Sequence, residues 1–136
     1  MVEINIEYQG DLRCIAIHQP SGTTLLTDAP KDNHGKGESF SPTDLMATAL
    51  GTCIVTTMGI VAQMMKVDLT GTKVTVRKEM STSPPRRIAA LIVTIDVPTQ
   101  LDDEQKQKFI KAAHACPVHQ SLHPDIQKPI DFRWAA

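Results

Sequence analysis

Aromatic residues are scarce in this sequence: one Trp, one Tyr and three Phe make up 4% of its 136 residues. So few rings cannot form the stacking platforms on which single-stranded nucleic acids bind. Lysine and arginine are not in excess either, because the formal net charge at pH 7 is -1. A phosphate backbone would therefore find no basic surface, and nucleic acid is not an expected partner.

Cysteines are few and widely spaced, at Cys14, Cys53 and Cys116. An odd number without clustering argues against the disulfide framework of a small secreted protein. The first residues, MVEINIEYQG, lack the basic stretch and apolar run that mark a signal peptide. We therefore expect a cytoplasmic protein with reduced thiols.

The pattern of hydrophobic residues predicts an α+β fold in a single domain, residues 1–136. Alternating apolar and polar residues predict strands at 2–8, 12–18, 23–27, 73–77, 91–97 and 130–134. A loop rich in Pro, Asn and Gly is predicted at 28–37. Asp102 and Gln105 form a predicted capping box that begins a second helix, and Pro117 ends that helix at Cys116 and begins a short helical turn.

Charged residues are absent from the run LMATALGTCIVTTMGIVAQMM, residues 45–65. Ser41, Pro42 and Asp44 precede it as a helix start, with a capping serine, a proline at the first helical position and an acidic residue that closes a capping box. The run is about as long as the ~20 residues of a membrane span. Its threonines and glutamine, and the lack of flanking aromatics, favour a fully buried central helix instead, with no membrane partner.

Two stripes of this helix differ in character. The apolar stripe comprises Met46, Leu50, Ile54, Met58, Val61 and Met65. The stripe of small and polar residues comprises Thr48, Thr52, Thr56, Gly59 and Gln63. The second stripe either meets another helix or packs against a sheet. Because one small sheet cannot cover so apolar a helix on every side, we expect a homodimer whose two central helices share a core.

Cys53 and Cys116 are the first candidates for chemistry. Apolar surroundings raise the pKa of a thiol, so a cysteine in the central helix is reactive only if a cation is brought to it from elsewhere. Cys116 precedes a proline that begins a helix, and the positive end of a helix lowers the pKa of a thiol. Cys14 lies in a strand pattern and is interpreted as a packing residue. The alternative for Cys53 is also a structural one, a small buried hydrophobic residue.

Histidines near Cys116 offer a second possibility, a zinc site. His114, Cys116, His119 and His123 have side chains of the types that bind zinc. No CxxC or HExxH motif accompanies them, so surface histidines or histidines that line a cleft are favoured, with no metal and no cofactor expected. Of the arginines, Arg13 follows a tight turn at the start of a strand, from which its side chain can reach a cleft.

Several segments together resemble the OsmC/Ohr family of thiol-dependent hydroperoxide reductases. These segments are GKGESFSPTDLMATALGTC (35–53), the apolar helix that follows, and AAHACPVHQSL (112–122). The resemblance implies antiparallel sheets around a long buried central helix in an intertwined homodimer. It also implies that Cys53 is the peroxidatic cysteine, that Cys116 resolves its sulfenic acid as a disulfide, and that Arg13 is the activating arginine. The implied partners are an organic hydroperoxide, or hydrogen peroxide, and an external dithiol reductant.

One position departs from the family pattern. Peroxidases of the family usually carry a glutamate ten positions before the peroxidatic cysteine, where it orients the arginine, and Thr43 stands there in this sequence. Asp44 is adjacent, but one step along a helix turns a side chain by about 100°. Glu38 in the preceding loop is the other candidate. The departure gives weight to an alternative function, a non-catalytic OsmC-like module that binds a small hydrophobic ligand.

Overall fold

The structure, a computed structural model, describes residues Met1–Ala136 and divides into two compact units, Met1–Met46 and Ala47–Ala136. The single domain of residues 1–136 stays a prediction. Sheets and helices occur in the predicted order, so the α+β class is confirmed.

The first unit is built on a three-stranded antiparallel sheet in the order β1-β2-β3. Strand β1 spans Ile4–Gly10, β2 spans Arg13–His18 and β3 spans Thr24–Asp28. A 3₁₀ turn, Lys31–Asn33, follows in the loop. The strand β3 therefore extends one residue further than its predicted end, and that residue is Asp28.

The β1–β2 hairpin turns at Asp11 and Leu12, although the sequence Gln9-Gly10-Asp11 favours a turn centred on the glycine. Gly10 pairs with Arg13, so two residues form the loop, and both have positive φ, 54° at Asp11 and 64° at Leu12. Such a loop matches the right-handed twist of the flanking strands. A leucine in this conformation is unusual, which is why the sequence signal pointed to the glycine instead.

Strand β1 was expected to be half buried, and this expectation is wrong within the chain. Its alternating apolar side chains are exposed, with relative accessibilities of 57% at Ile4, 68% at Ile6 and 63% at Tyr8. The alternation puts them on one face of the sheet. No part of the chain covers that face.

Helix α1 spans Pro42–Met65 and begins as predicted. The Asp44 N–H donates to Ser41 Oγ at 3.1 Å, and the Ser41 N–H donates to Asp44 Oδ2 at 2.9 Å, which completes the capping box. By length and composition α1 could cross a membrane. Core helices of soluble proteins pass the same test, and the buried face of α1 belongs to the core of the second unit.

A single chain buries only one face of α1, so complete burial of the helix would require a second chain and stays a prediction. Leu50, Ile54 and Met58 of the apolar stripe have no exposed surface, whereas Met46 is 40% exposed. The stripe of small and polar residues is exposed at its four polar positions and half-buried at Gly59. It therefore does not pack against the chain's own sheet. Ile60 and Met64 are also exposed, at 56% and 79%.

The second unit contains the sheet β4-β5-β6. Its strands are Lys73–Met80, Ile88–Val97 and Ile130–Trp134, and helices α2 (Asp103–His114) and α3 (Pro117–Ser121) connect the last two strands. Strands β4 and β5 are antiparallel, but β5 and β6 are parallel. The sheets are thus not wholly antiparallel as expected, because the helical connection returns the chain to run in the direction of β5.

The core of the second unit lies between α1, the sheet and α2. Its fully buried side chains are Leu50, Ile54, Met58, Leu91, Val93, Ile95 and Phe109. Gly51 brings α1 close to β4, because a Cβ there would lie 2.9 Å from Val76 Cγ2. This close packing fixes the helix against the sheet and thereby the position of Cys53.

Candidate active site

Cys116 lies at the N-cap position of α3, and Pro117 occupies the first helical position. Its side chain is completely buried, and its sulfur accepts a hydrogen bond from the His119 N–H at 3.3 Å. Burial raises the pKa of the Cys116 thiol and outweighs this hydrogen bond, which acts in the opposite direction. The helix end therefore acts on the sulfur as predicted, but the pKa is raised rather than lowered.

Cys53 lies in the fourth turn of α1 and is partly buried. It packs against the core cluster that contains Cys116, and the interaction of the two side chains contributes to the raised pKa of Cys116. Both cysteines are free thiols. Two cysteines 63 positions apart in the sequence are thus brought together by α1 and by the segment that links α2 to α3.

The histidines beside Cys116 serve other contacts. His114 Nδ1 lies 2.9 Å from the Ile110 carbonyl oxygen, and the His114 and His119 rings meet edge to face with centroids 5.9 Å apart. His123 lies next to Asp125. No three His, Cys, Asp or Glu side chains of the chain are grouped to hold a metal ion. The zinc site considered from the sequence has no ligand set here.

Arg13 lies in the first unit, at the start of β2, where two carboxylates hold its guanidinium. Nη2 lies 2.5 Å from Glu38 Oε2 and 3.4 Å from Asp28 Oδ2. The Glu38 contact is the main cause of a raised Arg13 pKa, and Asp28 adds to it. Glu38, one of the candidates from the sequence, is therefore a partner of Arg13.

Asp28 is the partner of Arg13 that the sequence pattern did not reveal. It pairs with Arg13 in the β2–β3 register, is 1% exposed, and its Oδ2 accepts the Glu38 N–H at 3.0 Å. This backbone hydrogen bond is the main cause of a lowered Asp28 pKa, with a smaller contribution from Arg13. The predicted strand ended one residue before Asp28. If the strand had been predicted to continue by one residue, Asp28 would have been recognised as a possible neighbour of Arg13 in the sheet.

The buried Asp28 carboxylate thus positions both Arg13 and Glu38, because it contacts the arginine and accepts a backbone hydrogen bond from the loop that carries Glu38. Two buried polar atoms have no hydrogen-bond partner within the protein, Arg13 Nε and Asp28 Oδ1. They lie beside a cavity of about 180 Å³ lined by Gln9, Arg13, Leu26, Thr27, Asp28, Glu38 and Ser39. A donor and an acceptor are therefore available to a small polar group that enters this cavity.

Thr43, at the position of the family glutamate, lies in the first turn of α1. Its hydroxyl is 3.2 Å from the Ser41 hydroxyl. The carboxylates that hold Arg13 come instead from the end of β3 and from the loop after it.

The sequence matches the model of the OsmC-like protein family over residues 35–128. The chain belongs to the OsmC family. The matched region includes Glu38, Thr43, Cys53 and Cys116 but not Arg13 or Asp28, which precede it. No curated protein matches the chain significantly.

Solved structures of the OsmC/Ohr family share the fold. A protein from Psychrobacter arcticus 273-4, provisionally named as an osmotic stress induced and detoxification response protein, is 45% identical, with a TM-score of 0.92 over 97% of this chain and 96% of that chain. The OsmC like protein from Mycoplasma pneumoniae is 16% identical, with a TM-score of 0.83 over 100% and 98%. An organic hydroperoxide resistance protein from Elizabethkingia anophelis is 16% identical, with a TM-score of 0.78 over 98% and 95%. The last two show the fold alone, and the OsmC-like fold predicted from the sequence is confirmed.

Proposed function

We propose that this OsmC-family protein is a thiol-dependent peroxidase that reduces organic hydroperoxides, and hydrogen peroxide, with electrons from an external dithiol. The contact between the Cys53 and Cys116 side chains carries the proposal, because a two-cysteine peroxidase needs two thiols that can form a disulfide. The names of structural neighbours from Elizabethkingia anophelis and Legionella pneumophila, organic hydroperoxide resistance proteins, support this class of substrate.

The proposed reaction has three steps. The Cys53 thiolate attacks the terminal oxygen of the hydroperoxide, the O–O bond breaks, and the alkoxide leaves and takes up a proton as the alcohol. The Cys116 sulfur then attacks the sulfenic sulfur of Cys53, and water leaves as the disulfide forms. The external dithiol finally reduces this disulfide and becomes a disulfide itself.

Arg13 is proposed to stabilise the Cys53 thiolate and to polarise the peroxide. Its guanidinium is fixed by Asp28 and Glu38, so the threonine at position 43 does not leave it without a carboxylate partner. A hydrogen-bond donor that is already held in place does not have to move when negative charge develops during the reaction. This favours the peroxidase over the non-catalytic binding module.

The catalytic unit is proposed to be a homodimer. Ile60 and Met64 on α1, and the apolar face of β1, are exposed in the single chain. Exposed apolar side chains of this kind, on each of the two units, are typical of surfaces that a partner covers. A second copy of the chain would cover the side of α1 that its own sheet leaves open, and a monomeric mass in light scattering at micromolar concentration would contradict this assembly.

The test of the function is turnover of tert-butyl hydroperoxide and of hydrogen peroxide with dithiothreitol as the reductant. We expect wild-type protein and the Cys14→Ser control to turn over both substrates, and Cys53→Ser to show only the uncatalysed rate. In a separate sample without dithiothreitol, Cys116→Ser should reduce one equivalent of peroxide and stop as the sulfenic acid, because no second thiol is present to condense with it. Activity in Cys53→Ser would contradict the peroxidase, and inactivity of the wild type toward every peroxide, with a co-purifying hydrophobic molecule, would favour the binding module.

A further inference from the structure

The two sulfurs of the proposed disulfide differ in how a reductant can reach them. Cys116 is completely buried, whereas Cys53 is only partly buried. Association with a second chain can remove accessible surface but cannot add any, so Cys116 stays closed in a dimer built from this conformation. Cys53 lies on the side of α1 that the second copy is proposed to cover, so whatever opening to the pair remains in that dimer is at Cys53.

Thiol–disulfide exchange requires the attacking thiolate to reach one sulfur while the other sulfur leaves. The Cys116 sulfur is enclosed in the core cluster that includes Phe109, Ala112 and Ala113. An external thiolate would have to displace these side chains to attack it. Attack on Cys53 needs no such rearrangement.

Two features of the Cys116 environment act on its departure in opposite directions: burial raises the pKa of the thiol and slows departure, whereas a hydrogen bond to the sulfur assists it. The Cys116 sulfur already accepts the His119 N–H at 3.3 Å. A hydrogen bond to a thiolate is stronger than one to a thiol, because the acceptor is charged. The negative charge that forms on Cys116 when the disulfide breaks is thus met by a donor that is in place beforehand.

We propose that the external reductant attacks the sulfur of Cys53 and that Cys116 is the leaving group. This inference rests on the proposed function, which supplies the disulfide. A donor thiolate bonds to Cys53 Sγ, the Cys53–Cys116 bond breaks, and Cys116 departs as a thiolate and takes up a proton. The second thiol of the donor then attacks the donor sulfur of the mixed disulfide, which releases Cys53 as a thiolate and the donor as a disulfide. The peroxide and the reductant consequently react at the same sulfur, that of Cys53, one after the other.

The experiment uses wild-type protein and a monothiol, 2-mercaptoethanol, which stops the exchange at the mixed disulfide. The disulfide is prepared in two samples, one oxidised with cumene hydroperoxide and one with diamide. Each is mixed with 2-mercaptoethanol, quenched in acid at increasing times, denatured and alkylated with N-ethylmaleimide. Cys14, Cys53 and Cys116 fall on three different tryptic peptides, so mass spectrometry locates each modification.

At the earliest times we expect 2-mercaptoethanol on Cys53 and N-ethylmaleimide on Cys116, in at least about tenfold excess over the reverse pattern. Mercaptoethanol on Cys116 with alkylated Cys53, or equal amounts of both patterns, would overturn the inference. A disulfide that forms with diamide but not with hydroperoxide would contradict the peroxidase while the exchange is still tested on the diamide sample. Failure of both oxidants to form the disulfide would overturn both proposals.

Discussion

Arg13 and Asp28 face each other across neighbouring strands, and the buried Asp28 carboxylate lies 3.4 Å from the arginine guanidinium. The exposed Glu38 makes the shorter contact, but Asp28 fixes the loop that carries Glu38 through its backbone N–H. The geometry of the arginine is therefore set from the protein interior. We propose that Asp28, at the end of β3, positions the arginine in place of the glutamate that Thr43 replaces in the family pattern.

The first prediction compares the two carboxylates. Asp28→Asn keeps an oxygen for the Glu38 N–H but removes the charge beside Arg13, so kcat/KM for tert-butyl hydroperoxide should fall by on the order of 10²-fold as the arginine loses its position. Glu38→Gln removes a carboxylate whose side chain is 60% exposed. Exposed ion pairs contribute about 0–1 kcal/mol, so this variant should lose about fivefold or less.

Peroxide kinetics on the two purified variants, with circular dichroism to show that both fold, check this order. A larger loss in Glu38→Gln than in Asp28→Asn would contradict the role given to Asp28.

A second prediction concerns pH and His119. Burial lowers the pKa of His119, and the charges of Lys128 and His114 add to this effect. In the unfolded chain the pKa of a histidine is about 6.5, so near and below this pH the unfolded protein binds more protons than the folded protein. The free energy of unfolding should therefore decrease as the pH falls from about 7 to about 5. His119→Asn removes this titration and should flatten the decrease.

Urea unfolding across that pH range measures the effect, with His123→Asn as the control because the His123 side chain is 68% exposed. Equal slopes for His119→Asn and the wild type would show that His119 does not contribute.

A third prediction tests the packing that positions Cys53. Gly51→Ala would place a methyl group 2.9 Å from Val76 Cγ2. Overpacking costs about 1–3 kcal/mol, and alanine recovers about 1 kcal/mol of helix propensity, so a net loss on the order of 1 kcal/mol is expected. In a Val76→Ala background the same substitution should be neutral or stabilising. Additive effects in this double-mutant cycle, measured by chemical unfolding, would rule out the close contact.

A fourth prediction concerns the β1–β2 turn. Leu12 adopts φ 64°, which costs a residue with a Cβ about 1–2 kcal/mol. Leu12→Gly should raise the stability by about 1 kcal/mol or less, since glycine also loses more backbone entropy on folding. Leu12→Ala removes the side chain but keeps the Cβ, and should bring no such gain. Thermal unfolding of both variants distinguishes relief of backbone strain from loss of an exposed leucine.

Much of the fold follows from local sequence signals. The capping residues Ser41, Asp44 and Asp102 predicted where α1 and α2 begin, and Pro117 predicted the break between α2 and α3. Such signals act over a few residues, so they can be recognised without tertiary contacts. The parallel pairing of β6 could not be recognised in this way, because it depends on where two helices return the chain.

The candidate site also combines residues that local sequence signals reveal with residues that only the tertiary structure reveals. Cys53, Cys116, Arg13 and the candidate partner Glu38 were singled out from the sequence, but Asp28 was not. The pairing of Arg13 with Asp28 depends on strand register, and the turn that sets this register uses Asp11 and Leu12 instead of a glycine. The raised pKa of Cys116 depends on burial by residues distant in sequence, which outweighs the local effect of the helix end.

The central claim is that Cys53 and Cys116 act as a redox pair, and peptide mapping after one equivalent of cumene hydroperoxide tests it most directly. We predict a protein lighter by two hydrogens, a Cys53–Cys116 disulfide and an unmodified Cys14. A sulfenic or sulfinic acid on Cys53 with Cys116 still free, or a disulfide that includes Cys14, would contradict the account.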